Sequence, residues 1–167
     1  MGRLVGYISL LGMAMALIVH GATFFGCYLA QSKVMQTVLN AGAILGIFVV
    51  MAKPQFDIFC GRRAAPAHQG ILPEWAERIQ AVFLFYAAIN FVYFMFITEG
   101  NPMIHGSSYV LQEHGKILRT LTFAEYKAAE ISWLRMLSGG WLAFYFRPVA
   151  YFLFRSEARP LDPDTMG

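Results

Sequence analysis

Of the polar side chains inside otherwise apolar stretches of this sequence, four are taken as the residues most able to do chemistry: His20, Asn40, Asn90 and Arg147. An imidazole at bilayer depth can ligate haem iron or relay protons. A bis-histidine haem needs a second histidine at matching depth, whereas His68, His105 and His114 all fall in connecting segments. Haem binding therefore rests on His20 alone, and a quinone or pigment site would be lined by the third-span aromatics Phe83, Phe85, Tyr86, Phe91, Tyr93, Phe94 and Phe96. A neutral His20 bonded to a neighbouring helix, with those aromatics facing lipid and core, is the plainer reading. His20, Asn90 and Asn40 lie toward one face of the membrane by depth counting, so the three are expected to form one hydrogen-bonded cluster, since lipid offers no partners. Arg147 is the costliest of the four, at about 2.5–3.5 kcal/mol for an arginine at a span centre. It can snorkel toward headgroups, bond a carbonyl freed by Pro148, or meet a partner subunit. Pro148 is expected to kink its helix near Phe144.

These residues need helices to hold them. Hydrophobic residues make up 57% of the 167-residue chain and charged residues 14%, against about 25% charged in a soluble domain. Mean hydropathy is +0.51. Of the 23 charged residues, only Arg147 lies within four long apolar stretches. At 1.5 Å per residue about 20 residues cross the hydrocarbon. The spacing predicts an all-α membrane protein with four transmembrane helices at 4–29, 34–51, 73–97 and 123–154, the last crossing at 136–154, in a single domain over 1–167. The first stretch exceeds the roughly 7–15 residues of a signal-peptide core and reads as an uncleaved span. Pro54 is expected to close the second helix, and Trp75 to anchor at the headgroups. Gly42 and Gly46 form a small-xxx-small pair, as do Ala22 and Gly26, and both are expected to pack spans one and two together.

Four spans put both termini on one side. That side carries Arg3, Lys53, Arg62, Arg63, Arg78, Arg155 and Arg159, against Lys33, Lys116, Arg119, Lys127 and Arg135 on the other. The positive-inside rule thus favours cytoplasmic termini.

The segment 98–135 is more than a linker. Two β-prone runs flank Glu113-His114-Gly115, which is turn chemistry, so a small β-hairpin is expected at 107–121. Thr122-Phe123-Ala124-Glu125 matches a capping box and should start a helix that continues into the fourth span. Tyr109, His114, Arg119, Glu125 and Tyr126 in this segment are the candidate partner-binding residues.

The same region carries a resemblance. Tyr109-Val110-Leu111, His114-Gly115-Lys116-Ile117, Arg119, Leu121-Thr122, Glu125-Tyr126, Arg135, Ser138-Gly139, Trp141 and Tyr145 resemble a family of small uncharacterised bacterial membrane proteins, over about a quarter of the chain. Members of that family often carry histidine where this chain has Gly140. The resemblance implies a bacterial inner-membrane protein and brings no activity with it.

No complete catalytic or metal-binding motif is legible. Cys27 and Cys60 are not in a C-x-x-C pair and suggest neither a disulfide framework nor a metal site. No basic run has the aromatic interleaving that binds nucleic acid. The expected function is a non-catalytic accessory or scaffold subunit of a larger inner-membrane complex, with membrane lipids and other membrane-protein subunits as partners. A haem-, quinone- or pigment-binding redox protein is the alternative, and a small transporter or channel the third.

Overall fold

The computed structural model describes residues 2–28, 33–59, 72–97 and 100–154, with side chains of residues 53–59 and of Ile97 left aside. Its elements are α1 (Gly2–Phe24), α2 (Lys33–Phe59), α3 (Glu74–Ile97), β1 (Asn101–His105), β2 (Ser108–Glu113), β3 (Lys116–Leu121) and α4 (Phe123–Leu153). The segment around Cys60, Pro66 and His68 lies outside the described residues.

Three helices are long and apolar enough to cross a membrane: Gly2–Phe24, Lys33–Ala52 and Glu74–Phe96. The expected fourth span does not meet that standard of composition. The reason lies in how α4 is used. Its 31 residues run among the other three helices, and its buried face carries Ser138, Gly139, Trp141, Tyr145 and Pro148, residues chosen for packing and hydrogen bonding rather than for contact with lipid. The lipophilic side chains sit on α1, α2 and α3, where Leu4, Leu11, Ile18, Leu45, Phe48, Val82 and Phe85 are all exposed.

The helices fit together by small residues against large ones. The buried face of α1 is Gly6, Ser9, Gly12, Ala16, Val19, His20 and Thr23, spaced at threes and fours as one face of a helix requires. Gly12 lies against the ring of Tyr145 and Gly6 against Leu153. Contacts at Gly6–Leu153, Gly12–Tyr145 and His20–Ser138 show α1 and α4 antiparallel. α2 runs parallel to α4, with Asn40 at Trp141 and Gly46 at Pro148. α3 is antiparallel to α4, from Ala76 beside Phe146 and Ala150 to Phe94 on Trp133.

Several expectations are corrected. α2 runs on through Pro54 to Phe59. Proline removes one helical hydrogen bond and crowds the preceding turn, and α4 likewise continues through Pro148. The glycine pair of α2 packs chiefly on α4, with Gly42 against the Tyr145 hydroxyl and Gly46 against the Pro148 ring, while Gly46 also faces Ser9 of α1. Ala22 and Gly26 do not form a packing pair. α1 ends at Phe24, and Gly26 at φ +69° closes it. The Cys27 and Gly26 amides donate to the Ala22 and Thr23 carbonyls at 3.0 and 3.3 Å, the two bonds of a Schellman cap. Cys27 lies past the helix and is exposed.

The expected hairpin is present as β2 and β3, and β1 extends it to a three-stranded antiparallel sheet in the order β1-β2-β3. Both connections are two-residue turns. His114 and Gly115, at φ 48° and 83°, form one with positive φ at both central positions. Gly106 at φ 62° opens the other. These are the I′-like and II′-like geometries that match strand twist.

Tyr145 is the tightest point of the fold, held between Gly12 and Gly42 with its hydroxyl donating to the Leu39 carbonyl at 2.8 Å. A Cβ at Gly12 would lie 2.4–2.9 Å from three ring atoms. We predict that Gly12→Ala destabilises the bundle by about 1–3 kcal/mol through overpacking. Gly21→Ala, where a Cβ meets nothing within 4 Å, should be neutral or stabilise by up to ~1 kcal/mol. Thermal unfolding of the two variants in one detergent checks the contrast.

Candidate functional site

The described polar groups of the bundle converge on the middle of α4. His20 Nδ1 lies 2.8 Å from Ser138 Oγ, and His20 Nε2 lies 2.5 Å from the Tyr86 hydroxyl. The tautomer follows from counting protons. Ser138 has one hydroxyl proton, and its Oγ is 2.7 Å from the Leu134 carbonyl, four residues back, and 3.2 Å from that of Arg135. That proton is committed to the helix backbone, so Ser138 accepts from His20 Nδ1–H. His20 Nε2 is then the acceptor for the Tyr86 proton. The result is a neutral imidazole with both nitrogens engaged, joining α1, α3 and α4. A metal at His20 would have to displace Ser138 or Tyr86. Among the described residues no group of three or more His, Cys, Asp or Glu side chains is arranged to hold a metal ion.

Asn90 stands beside this cluster but bonds its own helix and not His20. A Cβ on Gly139 would lie 3.6 Å from both Asn90 Nδ2 and His20 Cε1, and Asn90 Nδ2 donates to the Tyr86 carbonyl at 2.9 Å. Asn40 does not join. Its Oδ1 accepts from Trp141 Nε1, because α2 packs on a different side of α4. Tyr86 and Ser138, the two partners of His20, were not singled out as site residues from the sequence. Tyr86 sits in a run of aromatics that looks like lipid-facing surface, and Ser138 in a Ser-Gly pair suggestive of packing.

At the end of α1 Arg135 replaces solvent as a cap. Its Nη2 donates to the Thr23 carbonyl at 2.8 Å, its Nε to Thr23 Oγ1 at 3.3 Å, and its guanidinium lies 4.7 Å from the Phe24 ring centre. A cation at the negative end of a helix dipole is favourable. Thr23 Oγ1 in turn donates to the His20 carbonyl. A line of bonds thus runs from Arg135 at the helix terminus to the backbone carbonyl of His20.

Arg147 is half-buried, and among the described residues neither the carbonyl freed by Pro148 nor any carboxylate pairs with it. The side chain that does reach this stretch of backbone is Gln80, whose Nε2 donates to the Ala143 carbonyl at 3.2 Å while its buried Oε1 has no partner among the described residues.

Outside the bundle, the five candidate residues of 98–135 split into two groups. Tyr109 on β2 stacks on α4, 4.8 Å from the Tyr126 ring and 5.5 Å from the Phe123 ring. Arg119 on β3 donates to Glu125 at 2.9 Å. Glu125 also accepts from the Thr122 amide at 2.8 Å, while the Thr122 hydroxyl accepts from the Glu125 amide at 3.2 Å. This is the expected capping box, and it holds the Glu125 carboxyl down at about 2, chiefly through the Thr122 amide and then Arg119. These four residues fasten the sheet to α4. His114 stands apart in the β2–β3 turn, at the rim of an open groove of about 820 Å³ lined by Phe94, Met95, Met103, Gln112 and Glu113. Below the sheet, burial and a hydrogen bond to Glu130 push the Tyr28 hydroxyl up to about 12, and burial with the nearby Glu130 raises Tyr126.

Two outcomes follow. His20→Leu should destabilise the bundle by about 1–3 kcal/mol, since it leaves the Tyr86 hydroxyl without an acceptor. Tyr86→Phe added to His20→Leu should cost little more, and a double-mutant cycle by chemical denaturation measures that coupling. For Glu125 the carboxyl is held below its ordinary 4.5, so the carboxylate's contribution to the α4 cap is complete above pH 4.5 and is lost as pH falls through about 2. Amide exchange over Phe123–Tyr126 should therefore be unchanged from pH 7 to 5 after correction for intrinsic rates and rise only below that window. Thr122→Ala should fray the same turn at neutral pH, at about 1 kcal/mol.

Comparison with known proteins finds no matching family model, no matching curated protein and no matching solved structure.

Proposed function

We propose that the chain is a non-catalytic accessory or scaffold subunit of a larger bacterial inner-membrane complex, binding through its helices and the 98–135 segment. One observation carries the reading. The sheet is fastened to the central helix by the capping box, the Arg119–Glu125 pair and the Tyr109 stack, yet it leaves Met103, Ile104, Ile117 and Leu118 about half exposed. A lone sheet of this size is marginal in water. Joined to a helix that runs on without a break into the bundle, it becomes a rigid platform with exposed apolar side chains on both of its faces to offer a partner.

In this reading α4 also crosses the membrane. It follows α1 from Arg135 at Thr23 to Leu153 at Gly6, a rise of about 27 Å, so a bilayer that encloses α1 encloses that part of α4 as well. The start of α1 and the end of α4 then share one side, which the excess of Lys and Arg assigns to the cytoplasm, and the sheet stands on the other. The interior supports a holding role. His20, Ser138, Tyr86, Asn90, Asn40 and Trp141 spend bonds on one another and on the backbone, which joins helices.

Affinity purification of the tagged full-length chain from bacterial membranes in several mild detergents tests the proposal. A stoichiometric set of other membrane proteins is expected, with Met103, Ile104, Ile117 or Leu118 changed to Asp weakening recovery of at least one. Recovery of the bare chain in every detergent would contradict it.

A further inference from the structure

The three apolar helices do not surround α4 evenly. At about 100° per residue, Trp141, Tyr145 and Pro148 point to α2, Ser138 and Tyr145 to α1, and Gly139, Ala143 and Phe146 to α3. These three directions occupy little more than half the circumference. Among the described residues no Cα of α2 comes within 8 Å of one in α3. From Ser138 to Ala150 every residue of α4 is buried except Gly140, Phe144 and Arg147. Those three lie at spacings of four and three, along one line on the helix, and the line faces the sector between α2 and α3. The bundle therefore has an open cleft with α2 and α3 as walls. Its floor carries a glycine with nothing within 4 Å of an added Cβ, a ring that is 39% exposed, and an arginine.

We propose that this cleft is the seat for a transmembrane helix of a partner subunit carrying an aspartate or glutamate at the depth of Arg147. This rests on the reading of the chain as a subunit and names the chemistry of its contact. A cation in hydrocarbon calls for an anion, and among the described residues no carboxylate pairs with Arg147. No Asp or Glu occurs in Gly2–Ala52, Ile79–Ile97 or Met136–Phe154, and the acids of α3, Glu74 and Glu77, stand in its first turn, where Glu74 pairs with Arg78. Depth speaks for a helix over a lipid headgroup. Pro148 packs on Gly46, which lies near Ser9, and Ser9 is roughly 10 Å along α1 from Gly2. Helical Cα–Cβ bonds tilt toward the N-terminus, and for α4 that direction leads away from the nearer end, deeper into the bundle. Gly140, one turn and three residues further in, lets a partner backbone come close. A helix in this sector completes the ring around α4.

The test uses the full chain in intact bacterial membranes with Phe144→benzoylphenylalanine as a photocrosslinker. Leu17→benzoylphenylalanine, on the outer face of α1 where Leu17 is 59% exposed, is the lipid-facing control. The expected result is one adduct from position 144 and none from 17. Its crosslinked peptide should map to a transmembrane segment of another protein containing Asp or Glu. The adduct should be lost in Arg147→Met, retained in Arg147→Lys, and lost again when that partner's acidic residue is made neutral. Arg147→Met should leave the thermal stability of the isolated chain unchanged or higher, which separates loss of the partner from loss of the fold. An adduct that maps to a second copy, an Arg147-dependent adduct to an anionic lipid only, a partner segment without an acidic residue, or no adduct at all would each overturn the proposal. If no adduct forms at 144 while the tagged chain still brings down stable partners, the cleft assignment fails and the subunit reading stands.

Discussion

Hydrocarbon has no hydrogen bonds to give, and that constraint organises the whole molecule. Every polar group carried into the bundle must meet another one there. α4 brings Ser138 and the buried aromatics Trp141, Tyr145 and Phe146, and the other three helices are arranged to receive it. α1 presents glycine, serine and alanine so that its backbone can approach the Tyr145 side of α4. α2 supplies Asn40 for the Trp141 indole and the Leu39 carbonyl for the Tyr145 hydroxyl. α3 supplies Tyr86 for His20. The outer faces of α1, α2 and α3 are left apolar, which is why these three helices have membrane-like composition and the one they hold does not.

The sheet depends on the same helix. Strands of five or six residues cannot bury much by themselves, and most of β1 and β3 is exposed. Their order comes from the junction with α4, where the cap residue Thr122 follows β3 directly and Tyr109 from β2 reaches across to Tyr126. Packing in the bundle and presentation of the sheet are thus two ends of one rigid element.

Much of the local structure was legible in the sequence, because its causes are local. The capping box at Thr122 and Glu125, the His114-Gly115 turn and the apolar lengths of α1, α2 and α3 are each written in neighbouring residues. β1 was not legible, since Asn101 and Pro102 argue against a strand, and Pro102 is tolerated only because β1 is an edge. Pro54 reads as a stop, yet the helix passes through it. Of the expected polar cluster, His20 and Asn90 do come together, but the residues that satisfy His20 are Tyr86 and Ser138, 66 and 118 positions away, and no local rule reaches that far. Asn40 was assigned to the cluster by depth alone. Depth fixes height in the bundle and says nothing about which side of α4 a helix will take. The small-residue face of α1, Gly6 through Ala16, was a readable signal for where the central helix would sit.

In the proposed reading α4, the core of the bundle, crosses the membrane with the three apolar helices that sheathe it. Scanning cysteine accessibility in intact vesicles tests it most directly, on full-length chain with Cys27 and Cys60 replaced by serine. Single cysteines along Phe123–Lys127 and along Met136–Leu153 are probed with a membrane-impermeant maleimide from either side. The account predicts labelling at 123–127 from one side only and protection at the buried positions between Ser138 and Ala150 from both. Labelling of Trp141, Tyr145 or Val149 from water on either side would show α4 lying outside the bilayer and would contradict the account.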